Sequence, residues 1–215
     1  MAEIQRFVFN PFQVNTYVIS DETGECVIVD GACSNDKELQ QLKNYLAGKG
    51  LMPVMLLNTH AHIDHIIGNA LICDVFNIPL AAHKDCEAFV ANSSVYAETF
   101  GLTMKEVKEI DLYLDESEPV IFGQTKLQVL DTPGHADGSV CFYEKQMPFV
   151  VTGDVLFYQS IGRTDLETGD YDKLQESIWT KLFTLDDKTK VFPGHGPETT
   201  IGYEKLNNPF VAIGR

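Results

Sequence analysis

Apolar and polar residues alternate along the first thirty positions of the chain in three short runs. The runs are Ile4 to Phe9, Asn15 to Ser20 and Glu25 to Asp30, and turn-forming residues at 10–11 and 21–24 separate them. A period of two is typical of strands with one buried face. The pattern therefore predicts an antiparallel meander at the start of the chain.

Helical and strand-like segments alternate after the meander. Ser34 or Asn35 is expected to cap a helix that ends near Gly48 to Gly50, and Thr103 with Glu106 fits a capping box within a mostly helical segment, 84–114. The order of strands, helix, strand and helix occurs twice, so we expect two similar halves, each a sheet with helices on one face, packed sheet to sheet in one domain over residues 1–215. The remaining helices are predicted over 66–76, 171–183 and 200–206, and the remaining strands over 53–57, 79–82, 120–122, 126–130, 139–143, 149–151 and 190–192.

Four side chains that can bind metal follow the predicted strand 53–57 within six residues. On an extended segment His60 and His62 point the same way and can reach one ion, whereas Asp64 and His65 are adjacent and can serve a second. Downstream, three more candidates each follow a strand-like run on a short turn: His135, Asp154 and His195. Asp154 is the natural bridging carboxylate between two ions. Imidazole and carboxylate suit zinc, iron or manganese, so the spacing predicts a metal site.

Two further polar residues lie close to this constellation in the predicted fold. Asp30 ends a strand-like run and can orient a ligand histidine through its second ring nitrogen, or it can be a simple turn or capping aspartate. His83 can cap a helix or line a cleft. Residues 84–118 are expected to form a rim over the site.

Composition and charge exclude several functions. The chain has 16 basic and 31 acidic residues, a formal net charge of -15, and no basic patch, so we expect no nucleic-acid partner. Its apolar runs are too short to span a bilayer and its N-terminus lacks the pattern of a signal peptide, so we expect no membrane partner and a cytoplasmic location. The five cysteines form no CxxC pair and are expected to be buried thiols in a reducing compartment.

The ligand pattern resembles the metallo-β-lactamase superfamily over nearly the whole chain. An HxHxDH motif after a strand is followed by single His, Asp and His positions, and the segments 152–157 (TGDVLF) and 193–197 (PGHGP) are similar to those of glyoxalase II-like hydrolases. The resemblance implies an α/β protein with an αββα four-layer sandwich and metals at one edge between the sheets. It also implies that His60, His62 and His135 bind the first metal and that Asp64, His65 and His195 bind the second, with Asp154 bridging.

Other branches of that superfamily match less well. His62 stands where the diiron flavoproteins carry Glu, and Asp154 stands where many true β-lactamases carry Cys. There is no room for the added domain of the RNA-cleaving branch. The sequence ends soon after Asn207-Asn208-Pro209-Phe210, so we also expect it to lack the C-terminal helical domain that supplies much of the glutathione site in full-length glyoxalase II.

The resemblance implies a metal-dependent hydrolase with two divalent ions, zinc being favoured and iron or manganese being alternatives. The expected reaction is hydrolysis of a small thioester or acyl substrate, such as a hydroxyacylglutathione, by a metal-bound hydroxide, with Asp64 as the catalytic residue beside the metal-bound water. A lactone or another ester is an alternative substrate. A non-catalytic metal-binding protein is a further class, which a complete ligand set disfavours.

A second resemblance concerns the segment Ile161-Gly162-Arg163-Thr164-Asp165. It is similar to the persulfide dioxygenases, mononuclear iron enzymes in which the matching arginine helps to hold glutathione, and it implies one iron at His60, His135 and Asp154. Arg163 can bind a substrate carboxylate, or it can form an ion pair with an acidic neighbour at 165, 167 or 170. Phe157 and Tyr158 can line the substrate cleft or belong to the core.

Overall fold

Two six-stranded sheets face each other in the computed structural model, which describes residues 2–212. In the first sheet the strands lie side by side in chain order. The first three pair antiparallel, which confirms the predicted meander, and the later ones pair parallel. These strands are β1 (Glu3–Phe9), β2 (Val14–Ser20), β3 (Glu25–Val29), β4 (Met52–Leu57), β5 (Leu80–His83) and β6 (Leu112–Leu114).

The second sheet is mostly antiparallel. Its strands are β7 (Val120–Phe122), β8 (Thr125–Asp131), β9 (Val140–Glu144), β10 (Phe149–Gly153), β13 (Lys190–Pro193) and β14 (Thr199–Thr200). Between β10 and β13, β11 (Leu156–Phe157) and β12 (Ser160–Ile161) form a separate two-stranded hairpin. The sheet order is β14-β13-β10-β9-β8-β7, and only β10 and β13 run parallel. The hairpin β11–β12 was not predicted, because strands of two residues are too short to show a period.

The helices begin and end at local sequence signals. The Asn35 side chain accepts a hydrogen bond from the Glu38 backbone N at 3.1 Å, and Gly50 ends the same helix in the left-handed region at φ 66°. A 3₁₀ turn, Lys84–Cys86, precedes the fourth helix, and a π-helical turn, Ile178–Leu182, extends the sixth. The helices are α1 (Asp36–Lys49), α2 (Ile63–Ile66), α3 (Asn69–Phe76), α4 (Glu87–Ala91), α5 (Ser93–Thr99), α6 (Tyr171–Ser177) and α7 (Ile201–Asn207).

Three buried clusters define a four-layer αββα sandwich. The central cluster joins inward residues of both sheets, such as Val29 and Leu57 with Val129 and Phe142. A second packs α1 and α3 on the outer face of the first sheet, and a third packs α6, the π-helical turn and α7 on the outer face of the second. The predicted fold class is therefore confirmed. Within residues 2–212, no helix has the length and apolar character needed to cross a bilayer.

The prediction of a mostly helical segment over 84–114 is wrong in its second half. α5 ends before Gly101, which has φ +69°, and residues 102–111 have no helix, so Thr103 and Glu106 do not form a capping box. The apolar side chains of this stretch instead pack on a fourth cluster beside α2, α4 and α5. Their spacing resembles a helical period, but an irregular chain lying across that cluster buries the same residues.

A hydrogen-bonded junction connects the two sheets where β3 and β8 begin. Buried Asp21 accepts hydrogen bonds from Thr23 N at 2.8 Å and from Gln124 N at 2.5 Å. We expect Asp21→Ala to lower the free energy of unfolding in urea by about 1–3 kcal/mol, because these donors lose their acceptor. Asp21→Asn keeps one acceptor oxygen and should lose less. An Asp21→Ala protein as stable as the parent would contradict this role.

Candidate metal centre

The histidine-rich loop follows β4 directly and leads into α2. His62 is the residue before α2 and has an extended backbone conformation (φ -64°, ψ 145°). The side chains of His60 and His65 are almost fully buried. The ring of His60 lies 4.9 Å from that of His62, so the two histidines face the same space, as their spacing predicted.

Three other strand ends bring the remaining candidates to the same edge. β8, β10 and β13 each end just before a turn that carries His135, Asp154 or His195. The rings of His62 and His135 are 4.6 Å apart, and the His195 Nε2 lies 3.5 Å from Asp154 Oδ2. All seven predicted ligands therefore converge at one edge between the sheets.

The ligand atoms fall into overlapping groups of three. Asp154 stands between them: its Oδ2 is 3.6 Å from His135 Nε2, and its Oδ1 is 3.4 Å from His65 Nε2. Within each group the ligand atoms lie within 4.8 Å of one another, which is close enough to surround one ion. The groups are His60, His62 and His135; His60, His65 and Asp154; and Asp64, His65 and His195.

Several of these buried atoms have no hydrogen-bond partner among the described residues. They include His60 Nε2, His135 Nε2 and Asp154 Oδ1. Buried polar atoms are nearly always paired, and leaving one unpaired costs about 1–3 kcal/mol. Three such atoms on neighbouring strand ends would each gain a partner from a cation. The residues present therefore fit a metal centre.

The protonation of Asp154 and of the histidines at 60, 62 and 135 suits a cation. Burial lowers the pKa of His62 to about 4 and also lowers the pKa of His60 and His135, so these rings are neutral at pH 7. Burial would raise the pKa of Asp154, but the nearby histidines outweigh it and hold that pKa below its usual range. Neutral imidazoles and ionised carboxylates are the forms that bind metal. At His65 and His195 the neighbouring carboxylates outweigh burial and raise the pKa, so a cation binding there would displace a proton.

Asp30 fixes the orientation of two of these histidines. Its carboxylate accepts hydrogen bonds from His65 Nδ1 at 2.9 Å and from Thr59 Oγ1 at 2.8 Å. Thr59 has thereby used its only hydroxyl hydrogen, so it must accept at 3.1 Å from His60 Nδ1. In both rings Nδ1 therefore carries a hydrogen and Nε2 faces the site, and the neutral His60 ring presents the Nε2 lone pair there. Sequence reasoning considered Asp30 for one histidine and missed Thr59, which directly precedes His60.

The His195 loop is held by the first sheet. Asn15 donates from Nδ2 to Pro193 O at 2.8 Å and to Gly196 O at 2.9 Å, and Tyr17 donates from its hydroxyl to Pro193 O at 2.7 Å. These contacts join residues more than 170 positions apart. No local pattern could have identified Asn15 or Tyr17, since each has an ordinary strand environment in the sequence.

A cleft of about 480 Å³ opens above the site. Phe157 lines it, with its ring 6.3 Å from that of His195. The prediction that Tyr158 lines the cleft needs correction: Tyr158 is not among the described lining residues, and its ring stacks on Tyr203 at 5.3 Å. Adjacent residues in the β11–β12 hairpin point to opposite faces, which separates Phe157 from Tyr158.

The other predicted residues near the cleft have mixed outcomes. Arg163 lines the cleft, and its guanidinium also makes two contacts of 2.7 Å with the Asp165 carboxylate. Its backbone oxygen accepts a hydrogen bond from His135 Nδ1 at 2.8 Å, which fixes that ring as well. His83 accepts from Asp85 N at 3.2 Å and thus caps the 3₁₀ turn. Of the predicted rim, 84–118, α4 and α5 supply Phe89 and Tyr96 to one wall of the cleft and Phe100 follows them, whereas residues 101–118 are not among the lining residues.

The cysteines offer no accessible nucleophile. All five are free and buried. Burial raises the pKa of Cys86 and Cys141 to about 12, so both remain protonated thiols at neutral pH.

Gly194 is a close-approach position against the site. A Cβ there would lie 2.2 Å from Asp154 Oδ1 and 2.8 Å from His65 Cε1. Because Asn15 N donates to Gly194 O at 2.7 Å, the loop cannot simply move away. We expect Gly194→Ala to reduce bound metal per chain and to weaken metal affinity about tenfold, measured by mass spectrometry after dialysis against a competing chelator.

Gly48 provides the matched control. It lies in α1, and a Cβ there would meet nothing within 4 Å. Gly48→Ala should leave the metal content unchanged and stabilise the helix by about 0.5–1 kcal/mol. Equal metal retention by the two alanine variants would contradict the importance of the Gly194 contact.

Comparisons with known proteins agree with this arrangement. The family described as "Metallo-beta-lactamase superfamily" matches residues 9–195. The Bacillus subtilis protein named "Probable metallo-hydrolase YqgX" is 37% identical over 210 residues, covering 96% of each chain. The Haemophilus influenzae protein named "Hydroxyacylglutathione hydrolase GloC" is 33% identical over 202 residues, covering 93% of each chain.

Solved structures give the same result. The BLEG-1 B3 metallo-β-lactamase superposes with a TM-score of 0.88 at 36% identity, covering 97% of this chain and 99% of that one. The structure of TTHA1623 in a di-iron-bound form superposes with a TM-score of 0.85 at 33% identity, covering 96% of this chain and 99% of that one. The structure of ETHE1 from Myxococcus xanthus superposes with a TM-score of 0.79 at 28% identity, covering 98% of this chain and 84% of that one.

Proposed function

The chain belongs to the metallo-β-lactamase superfamily, and from that premise we propose that it is a metal-dependent hydrolase of a thioester or a similar acyl compound. The proposal depends on one observation. Two groups of three candidate ligand atoms lie side by side at the edge of the sheets, and Asp154 lies within 3.6 Å of a histidine from each group. Such an arrangement suits two ions and a hydrolytic reaction.

His60, His62 and His135 would hold one ion, and Asp64, His65 and His195 the other, with Asp154 serving both. Divalent ions at these positions lower the pKa of water and polarise a carbonyl group, which is the chemistry that acyl hydrolysis needs. We propose zinc as the metal, with iron or manganese as alternatives. The di-iron form of TTHA1623 supports including iron in any metal reconstitution.

The protein's own residues would position water and substrate. Asp64 faces the cleft and its Oδ2 lies 3.4 Å from His195 Nε2, so it can accept a hydrogen bond or a proton from water beside that ring. A nucleophilic side chain is unnecessary, in keeping with the buried thiols. A thiolate leaving group needs little protonation, because a thiol has a pKa of roughly 8.5.

The GloC relative supports a thioester as the substrate class, since its name specifies hydroxyacylglutathione and its length is nearly that of this chain. Hydroxyacylglutathione is therefore the first thioester to assay, and lactones are the next class.

The test combines metal analysis with an acyl-hydrolysis panel. Protein purified without chelator should contain close to two divalent ions per chain and should hydrolyse at least one thioester. Dialysis against a chelator should abolish the hydrolysis, and added zinc should restore it. Hydrolysis of every substrate at an undiminished rate by the metal-free protein would reject the proposal.

A mononuclear iron dioxygenase acting on a persulfide is the second candidate. The segment 161–165 favours it, because Arg163 lines the cleft close to His135. One iron per chain with oxygen consumption on glutathione persulfide would support this candidate. Two zinc ions with no oxygen uptake would exclude it.

A further inference from the structure

The cleft above the candidate metal centre has a polar floor and apolar walls. The floor consists of the proposed ligands themselves. The walls come from α4, α5 and the segment 157–167, together with a residue from the β1–β2 turn. They are lined by aromatic and aliphatic side chains, among them Phe12, Phe89, Tyr96, Phe100, Phe157 and Leu166.

Two of these aromatic side chains stand at the mouth of the cleft and are partly exposed to water. Phe12 and Phe100 are 39% and 46% exposed, and their rings meet edge to face at 6.2 Å. Large aromatic side chains left exposed together beside a cleft are typical of ligand contact, because a ligand that covers them removes apolar surface from water.

The walls contain only two charged side chains among the described lining residues, and both already have partners. Arg163 is paired with Asp165, and Glu167 accepts a hydrogen bond from the Tyr96 hydroxyl at 2.5 Å. The Arg163 pair is exposed, so it is worth only about 0–1 kcal/mol and could open to receive one carboxylate. The described walls hold no second cation.

We propose that the part of the substrate lying along these walls is apolar and carries at most one negative charge. This inference rests on the proposed acyl hydrolysis for the orientation of the substrate, with its carbonyl at the floor. It predicts that a neutral thioester with an aromatic or aliphatic body is preferred to the glutathione thioester of the same acyl group.

The reason lies in charge. Glutathione brings two carboxylates and an ammonium group alongside walls that offer one cation, Arg163, and the protein has a formal net charge of -15. A charged group that enters an apolar cleft without a partner loses hydration and gains little in return. An aromatic ring instead gains contact with Phe12, Phe100 and their neighbours.

The test uses two unreactive thioethers that share one apolar group. S-benzyl-N-acetylcysteamine is neutral, and S-benzylglutathione carries the charges. Calorimetry on the zinc-loaded protein should show the neutral thioether binding about tenfold more tightly at low salt. The difference should shrink as ionic strength rises, because salt screens the repulsion. Equal or tighter binding of S-benzylglutathione, or no binding of either compound, would overturn the inference.

A pair of phenylalanine variants tests the walls directly. Phe100→Ala should weaken binding of the neutral thioether about tenfold, because it removes apolar surface that the benzyl group covers. Phe210→Ala is the matched control: Phe210 is 47% exposed but does not line the cleft, so its loss should change the dissociation constant less than twofold. Equal effects of the two variants would also overturn the inference.

A hydrolysis assay separates this inference from the proposed function. It uses the phenylacetyl thioesters of the two parent thiols, N-acetylcysteamine and glutathione. Tight binding of the neutral thioether without hydrolysis of either thioester would reject the hydrolase proposal and leave the apolar cleft standing. Hydrolysis of both thioesters with glutathione preferred, together with tighter binding of S-benzylglutathione, would leave the hydrolase standing and reject the apolar cleft.

Discussion

Asp154→Ala protein should lose bound metal and hydrolyse its substrate at least about a thousandfold more slowly than the parent. Among the described residues, Asp154 is the one carboxylate that lies within 3.6 Å of a histidine from each proposed coordination group, with His65 on one side and His135 on the other. Its removal therefore weakens both proposed ion sites together. Metal content by mass spectrometry and turnover of a thioester should fall in parallel.

The control for this variant is Asp187→Ala. Asp187 is exposed, contacts Lys205 Nζ at 2.6 Å and is not among the residues that line the cleft, so its loss should change neither metal content nor turnover. Circular dichroism of both variants checks that the chain still folds. Hydrolysis at the parental rate by metal-free Asp154→Ala protein would contradict the proposed role of this carboxylate.

Asp30→Ala should have the second largest effect, and it should act on both stability and metal affinity. The substitution leaves the Thr59 backbone N, the Thr59 hydroxyl and His65 Nδ1 without an acceptor in a buried region. We expect the metal-free protein to lose about 3 kcal/mol or more of unfolding free energy. Metal affinity should fall about 10–100-fold, because His60 and His65 are no longer held in one tautomer.

Asp30→Asn distinguishes packing from charge. The amide nearly keeps the shape and one acceptor oxygen, and asparagine tolerates the left-handed backbone of this position at φ 59°. The NH₂ group of the asparagine must nevertheless face at least one donor. The losses of unfolding free energy and of metal affinity should therefore lie between those of the parent and those of Asp30→Ala. Asp115→Ala serves as the control, since Asp115 is an exposed turn aspartate that accepts from Ser117 N at 2.7 Å. An Asp30→Ala protein with parental metal affinity would refute the orienting role.

Much of the fold was predictable because its signals are local. The meander of β1, β2 and β3 follows from alternation, and α1 follows from a cap at Asn35 and a stop at Gly50. The convergence of His60, Asp154 and His195 was also predictable, because each lies within three residues of the end of a strand. Strand ends of paired sheets meet at one edge.

The errors and omissions have a different origin. Residues 102–111 carry a helix-like spacing, and only their packing on the fourth cluster, beside α2, α4 and α5, shows that the chain there is irregular. The relay from Asp30 through Thr59 to His60 and the clamp of Asn15 on the His195 loop join residues distant in sequence. Such contacts depend on tertiary structure, which no window of sequence contains.

The distribution of the candidate ligands has a consequence for biosynthesis. During synthesis, His60 of the histidine loop emerges from the ribosome 135 residues before His195. A domain generally folds as a unit, and the candidate ion groups require strand ends from both sheets. Only a chain that has been synthesised beyond His195 can therefore assemble the full set of candidate ligands, so metal acquisition would follow the formation of both sheets.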